Sequence, residues 1–187
     1  MKLIQALLSE EKYGNKAYEE LVRKMKEQGG EAIGYGDNGV VFDLGNIGSV
    51  HKVTADEFEL EDAKSAEGKK FKYWANISDV YIHPSGKAGF YEVEDLVSAP
   101  QEVHQALGKG ENLYDIGMYI IGGDEEDLAN TPKEVQAGGK TFKLHDFFKG
   151  VRKELLSVGI DPDNVDLLGG EHNIMMTKNG DLKLIDY

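Results

Sequence analysis

A segment of closely spaced glycines is the first part of the chain whose residue types suggest a chemical use. Gly34–Val41 has the pattern G-x-G-x-x-G-x-V. Glycines let a backbone turn tightly and approach a phosphate closely, but in dinucleotide-binding folds they lead directly into a helix. Here the β-branched and aromatic run Val40–Phe42 predicts a strand, so we expect a glycine-rich β-hairpin over the phosphates of a nucleotide, with a plain hairpin loop as the alternative. The expected contact residues are Gly34, Gly36, Gly39 and Val41.

A lysine follows the glycine segment within another strand-like run. Lys52 lies thirteen residues after Gly39, in the run Ser49–Val53. A flexible point charge on a rigid strand beside the hairpin suits the α- and β-phosphates of a nucleotide. The alternative is a solvent-facing lysine, which is the usual place of this residue in a strand.

A phosphate-binding lysine needs a carboxylate to hold it, and the next segment offers several. Residues 56–75 have the pattern of one helix with an apolar stripe at three- and four-residue spacing. Glu67 lies on that stripe, where an ionised group is costly unless it is paired. We therefore predict Glu67 as the partner of Lys52, with Glu61 as the alternative. The other carboxylates near the helix start are expected to face its dipole and solvent: Glu57, Glu59 and Asp62.

Two oxygen-bearing residues flank the last hairpin pattern of the chain. The turn Lys178–Gly180 contains Asn-Gly between two short apolar runs, which is a strong hairpin signal. Asn173 precedes the first run, and Asp186 follows the second, thirteen residues later. A tight hairpin brings both ends together, and Mg²⁺ prefers such oxygen ligands, so we predict Asn173 and Asp186 as metal ligands.

These motifs, taken in order, resemble the protein-kinase-like phosphotransferases. The resemblance covers about residues 31–187 and is similar, at its end, to small bacteriophage-encoded serine/threonine kinases. It implies ATP and Mg²⁺ as cofactors and a protein as the substrate, in the host if the chain is phage-encoded. It also implies that Phe90–Leu96 leads into a hinge, with Val93 as gatekeeper and backbone groups of Glu94 to Leu96 at the adenine.

The chain departs from the family pattern at the catalytic aspartate. That aspartate usually lies five residues before the loop asparagine, where this chain has Leu168. A two-residue expansion around Gly169 and Gly170 would restore Asp166 to the role of orienting the substrate hydroxyl. Glu171 and His172 are the alternative polar residues in this segment.

The resemblance and the periodicities together predict an α+β, two-lobed protein-kinase-like fold. Its N-lobe would be an antiparallel sheet, and its C-lobe would be reduced and mainly helical. The expected domains are a helical extension over residues 1–30, an N-lobe over 31–97 and a C-lobe over 98–187 that ends at the metal-binding aspartate.

The periodicities also predict the individual elements. Strands are expected at 32–33, 40–44, 49–53, 79–83, 89–96, 173–177 and 182–186. Helices are expected near the start of the chain, at 56–75, near 101–107 and at 143–158 with Gly159 as the stop. Residues 113–121 are expected to be helical or irregular, and Gly-rich acidic loops are expected to fill the rest of 97–140.

Composition limits the class of function. The chain has 187 residues, no cysteine and a formal net charge of −13. Disulfides and thiol chemistry are therefore excluded, and the acidic balance argues against nucleic-acid binding but permits a basic protein partner. No apolar run is long enough for a membrane span, and we expect a cytoplasmic protein.

Three functions are compatible with these features. The first is an ATP- and Mg²⁺-dependent phosphotransferase acting on Ser or Thr hydroxyls. The second is a pseudokinase-like module that binds nucleotide or a partner without transfer, as the leucine at position 168 suggests. The third is an acidic inhibitor or scaffold for a basic protein.

Overall fold

The computed structural model describes residues 15–36, 38–108, 112–162 and 173–185. The chain divides into two compact units. The first comprises Met1–Lys69 and Asn76–Asp95, and the second comprises Lys70–Ala75 and Leu96–Tyr187. The chain therefore leaves the first unit at residue 70, returns at 76 and leaves again at 96. The predicted helical pattern of residues 3–8 lies outside the described residues.

The first unit is built on one antiparallel sheet and two helices. The elements in chain order are α1 Lys16–Glu27, β1 Glu31–Tyr35, β2 Gly39–Asp43, β3 Ser49–Thr54, α2 Glu57–Ala66, β4 Ile77–Ile82 and β5 Gly89–Glu94. The strands lie side by side in the spatial order β1-β2-β3-β5-β4, and they confirm the predicted strands of this region in type and position.

The two helices cover opposite faces of the sheet. Successive residues of a strand point to opposite faces, so the neighbours Lys52 and Val53 on β3 identify the two faces. On one face, Leu21 of α1 belongs to the same buried cluster as Phe42 and Val53. On the other face, which carries Lys52, α2 contributes the buried Leu60. Apolar residues of β2, β3 and β5 sit in the resulting cores, whereas Ile33 and Tyr35 of β1 and Tyr81 and Ile82 of β4 are exposed.

Helix α2 is shorter than the predicted helix over 56–75. Asp56 caps its start, accepting hydrogen bonds from the N–H groups of Phe58 and Glu59 at 2.9 and 3.1 Å. The helix stops at Ala66, and Gly68 follows with a φ of 71° that breaks the helical backbone. The prediction was wrong because the apolar spacing continues past this break into residues that belong to the second unit.

The second unit carries helices and two small sheets within its described residues. Its elements are β6 Val97–Ser98, α3 Gln101–Leu107, α4 Asn112–Gly122, a 3-10 helix Glu125–Leu128, β7 Glu134–Ala137, β8 Lys140–Lys143, α5 Leu144–Val158, β9 Ile174–Met176 and β10 Leu182–Leu184. The predicted helices near 101–107 and at 143–158 are confirmed, and Gly159 ends α5 in the left-handed conformation with a φ of 78°.

The predicted C-terminal hairpin is present. Strands β9 and β10 pair antiparallel, and Gly180 in their turn has a φ of 88° that favours glycine. Strand β6 pairs with the other edge of β9.

A second hairpin was not predicted. Strands β7 and β8 pair antiparallel through Gly138 and Gly139, whose φ values are 55° and 77°. Two successive positive φ angles match the right-handed twist of a two-residue hairpin. The alternation of Val135 and Ala137 with polar residues was the available signal, but the acidic and glycine-rich composition favoured a loop.

Residues 70–75, which we term the strap, are held firmly within the second unit. The Glu154 carboxylate on α5 accepts the N–H groups of Lys72, Tyr73 and Trp74 at 2.8, 3.0 and 3.0 Å. The strap also pairs with β10: Leu184 donates to the Tyr73 carbonyl at 2.8 Å and accepts from Ala75 at 3.0 Å.

Buried side chains complete this arrangement. The ammonium group of Lys183 donates to the carbonyls of Phe71 and Trp74 at 2.7 and 3.0 Å. Tyr73 lies so close to Gly150 of α5 that a Cβ there would stand 2.0 Å from its ring. The strap is therefore an integral part of the second unit's core.

None of the helices in the described ranges combines the length and the apolar character that crossing a lipid bilayer requires.

Candidate functional site

The predicted phosphate-binding lysine forms a buried ion pair in the first unit. The Lys52 Nζ lies 2.9 Å from the Glu59 Oε1, with 18% of the lysine side chain and 2% of the glutamate side chain exposed. Lys52 comes from the sheet and Glu59 from the first turn of α2. The structure thus brings the lysine to a carboxylate, but not to the one that was predicted.

Two hydroxyl groups complete the surroundings of the Glu59 carboxylate. The Tyr91 phenol donates to Oε1 at 2.7 Å, and the Thr54 hydroxyl donates to Oε2 at 2.9 Å. Both residues are fully buried. Each carboxylate oxygen therefore has a donor, which is the condition under which a buried charge is tolerated.

The sequence contained a signal for Glu59 that the prediction did not use. Counting forward from Glu59, the helical period reaches Ala63 and then Ala66, both fully buried. Glu59 therefore lies on the buried stripe of α2. It was instead expected to face the dipole and solvent because it stands in the first turn.

Glu67 is the C-terminal capping residue of α2 and does not pair with Lys52. Its carboxylate contacts the exposed Lys64 at 2.5 Å and accepts the N–H of Val80 at 2.9 Å. These hydrogen bonds, that of Lys64 first, lower the pKa of Glu67. The predicted role of Glu67 is thus wrong because the helix has ended before it, and the alternative, Glu61, is exposed to solvent.

The glycine turn lies beside this ion pair. The Gly36 N–H donates to the Gly39 carbonyl at 3.0 Å, which closes the turn between β1 and β2. A Cβ at Gly39 would stand 2.6 Å from the Val53 carbonyl and 3.1 Å from the Lys52 Cε. Glycine is required at position 39 because β2 and the end of the lysine side chain approach so closely.

The turn is also anchored to the start of α2. The Asn38 side chain donates to the Asp56 carboxylate at 2.9 Å, and its carbonyl accepts the Ala55 N–H at 3.0 Å. Of the other predicted contact residues, Val41 faces Lys52 in the register of β2 and β3, and Gly34 lies at a β-bulge in β1. The predicted glycine hairpin is present, while its contact with a nucleotide stays a prediction.

The predicted hinge coincides with the passage between the two units at residues 95 and 96. The N–H groups of Glu94 and Asp95 donate to the carbonyls of Asn76 and Gly48 at 3.0 and 2.9 Å. The Glu94 carboxylate accepts the Asn76 side-chain amide at 2.7 Å. Among the described hydrogen bonds, none uses the N–H of Leu96, and the contact of this stretch with adenine stays a prediction.

The predicted metal ligands lie in the second unit. Asn173 stands at the start of β9, and its carbonyl accepts the N–H of Ile185 at 2.9 Å across the hairpin. Asp186 and Asp166 lie outside the described residues. Within the described ranges, no group of three or more His, Asp or Glu side chains is placed to hold a metal ion.

No protein-family model matches this chain, and no curated protein matches it in sequence. Among solved structures, it is similar to a MAP kinase from Leishmania major, at 13% sequence identity and a TM-score of 0.38. The match covers 91% of this chain, which spans 50% of the length of that kinase.

Proposed function

We propose that this chain binds ATP in the manner of protein-kinase-like phosphotransferases and transfers its terminal phosphoryl group to a Ser or Thr hydroxyl of a protein. The observation that carries the proposal is the Lys52–Glu59 pair next to the glycine turn. A buried ion pair contributes little to stability compared with apolar residues of the same volume. Its presence is better explained by a ligand that needs a fixed positive charge.

The surroundings of Lys52 suit a phosphate group. Glu59 holds the ammonium group from one side, and the end of the lysine chain reaches the glycine turn, where backbone can approach an anion closely. The bonds from Asn38 to the start of α2 fix that turn before any ligand arrives. A preorganised charge of this kind stabilises phosphoryl transfer because no rearrangement is needed during the reaction.

The other parts of the proposed site follow from the donor sets. The N–H of Leu96 would donate to the adenine ring. Asn173 and Asp186 would supply oxygen ligands to Mg²⁺, which would supply positive charge against the charge that develops on the phosphates. Asp166 would orient the acceptor hydroxyl.

Calorimetric titration with ATP, with and without Mg²⁺, tests the binding step. We expect Lys52→Met to abolish binding and Glu59→Gln to weaken it, while the matched change Glu67→Gln, at a half-buried carboxylate away from Lys52, leaves it unchanged. Equal affinity of Lys52→Met and the unmodified protein would refute the site.

Transfer of labelled phosphate from ATP to a generic protein substrate tests the second step. We expect transfer to require Asp186 and Asp166, measured as Asp186→Ala and Asp166→Asn. Binding of ATP without any transfer would favour the pseudokinase-like function, for which the specific observation is Leu168 at the usual aspartate position.

A further inference from the structure

The Glu59 carboxylate is held by the sheet independently of Lys52. Tyr91 and Thr54 donate to its two different oxygens, and both residues are 0% exposed. The Thr54 hydroxyl also lies 3.2 Å from the Asn38 carbonyl, but its shorter contact, at 2.9 Å, is to Glu59. The carboxylate is therefore fixed at both oxygens even if the ammonium group turns towards another anion.

The register of the sheet explains how the three donors come together. Lys52 and Thr54 are two residues apart on β3, so they share one face, and Tyr91 is the direct cross-strand partner of Lys52. One face of the sheet thus presents an ammonium group, a phenol and a hydroxyl in fixed positions. All three donors contact Glu59 of α2.

We propose that Tyr91 and Thr54 are positioning residues that keep the Glu59 carboxylate directed at Lys52 before nucleotide binds. This inference rests on the proposed nucleotide site. With Lys52 as its only donor, Glu59 would be released whenever a phosphate competed for the ammonium group. With three donors, the Lys52–Glu59 pair persists and helix α2 stays in place. Lys52 is therefore held in its phosphate-binding position at all times, and no conformational change is needed to place it there.

Rescue by a variant that keeps the hydroxyl distinguishes positioning from mere packing. In Tyr91→Phe we expect ATP affinity at neutral pH to fall about tenfold, the equivalent of one lost hydrogen bond to a charged group.

Calorimetric titrations with ATP at neutral pH provide the test. Thr54→Val should act like Tyr91→Phe, and Thr54→Ser, which keeps the hydroxyl, should restore the original affinity. Tyr81→Phe, which removes a phenol from the partly exposed end of β4, is the matched control and should change nothing. An unchanged affinity in folded Tyr91→Phe and Thr54→Val would overturn the inference.

A ligand-free measurement separates this inference from the proposed function. The chemical shift of the Glu59 carboxyl carbon, recorded by NMR at neutral pH in selectively labelled protein, should change in Tyr91→Phe because the carboxylate loses a hydrogen bond. If the unmodified protein binds no ATP, the proposed function fails, while this chemical shift still decides whether the hydroxyls hold Glu59. An identical Glu59 chemical shift in both proteins would refute the positioning role.

Discussion

Replacing Glu59 with alanine should be among the most destabilising single changes in the first unit. The change removes the Glu59 acceptor from a largely buried ammonium group and from the buried Tyr91 phenol, while the Thr54 hydroxyl keeps the Asn38 carbonyl at 3.2 Å. Removing one partner of a buried ion pair costs about 3–5 kcal/mol, a range that includes the cost of leaving its neighbours without that partner. Because the 18% exposure of Lys52 admits some water, we expect a total in the middle of this range, about 4 kcal/mol.

The matched comparison is Glu67→Ala, which removes the carboxylate that sequence reasoning had favoured. Glu67 pairs with the exposed Lys64, and exposed pairs contribute about 1 kcal/mol or less. Replacing both partners, as in Lys52→Met with Glu59→Leu, should recover about half of the loss, because no unpaired charge remains.

Urea unfolding followed by far-UV circular dichroism measures these differences. Fluorescence of Trp74, the single tryptophan of the chain, reports separately on the strap in the second unit. The loss in Glu59→Ala should appear first in the dichroism signal. If Glu59→Ala proves no more destabilising than Glu67→Ala, the buried pair does not organise the first unit and the reasoning fails.

Three further changes test other parts of the structure. Gly39→Ala should destabilise the protein by about 1–3 kcal/mol in urea unfolding, since the new Cβ meets the Val53 carbonyl. In the control Gly36→Ala, the new Cβ meets no atom within 4 Å, so the change should have no measurable effect on stability. Equal losses of stability in the two variants would contradict this account. Glu154→Gln should cost about 2–3 kcal/mol, because one amide oxygen cannot replace a carboxylate that accepts three N–H groups; unchanged Trp74 fluorescence and stability would count against the clamp. Burial, followed by the charge of Glu59, raises the pKa of Tyr18 to about 12, so stability that is complete below about pH 10, the unfolded value, should be lost towards pH 12. Tyr18→Phe should abolish this alkaline loss in pH-dependent thermal unfolding, and an alkaline profile that persists in the variant would exclude Tyr18 as its source.

Local patterns were sufficient to predict many of the elements. The strands of the first sheet, helix α5 with its glycine stop and the β9–β10 hairpin depend on residue periodicity and turn chemistry within a few residues. In these elements the conformation that the local sequence favours is also the conformation found in the fold.

The partner of Lys52 could not be settled by local reasoning alone. The choice between Glu59 and Glu67 depends on where α2 begins and ends, and on whether the later apolar residues pack with the first unit. Phe71 and Trp74 gave the predicted helix its length, but they are buried in the second unit. An apolar stripe in the sequence does not show in which of two cores each of its residues is buried. The prediction therefore chose Glu67 as the partner of Lys52 where the structure has Glu59.

The strap has a consequence for dividing this protein into fragments. Because the chain passes between the units at residues 70, 76 and 96, a single cut at 95–96 leaves each piece incomplete. An N-terminal piece carries Phe71 and Trp74 without the surface that buries them. A C-terminal piece has Glu154 and Lys183 with their backbone partners missing. We therefore expect the two fragments to fold poorly alone and to recover their structure when they are mixed, because each fragment supplies contacts that the other needs in order to fold.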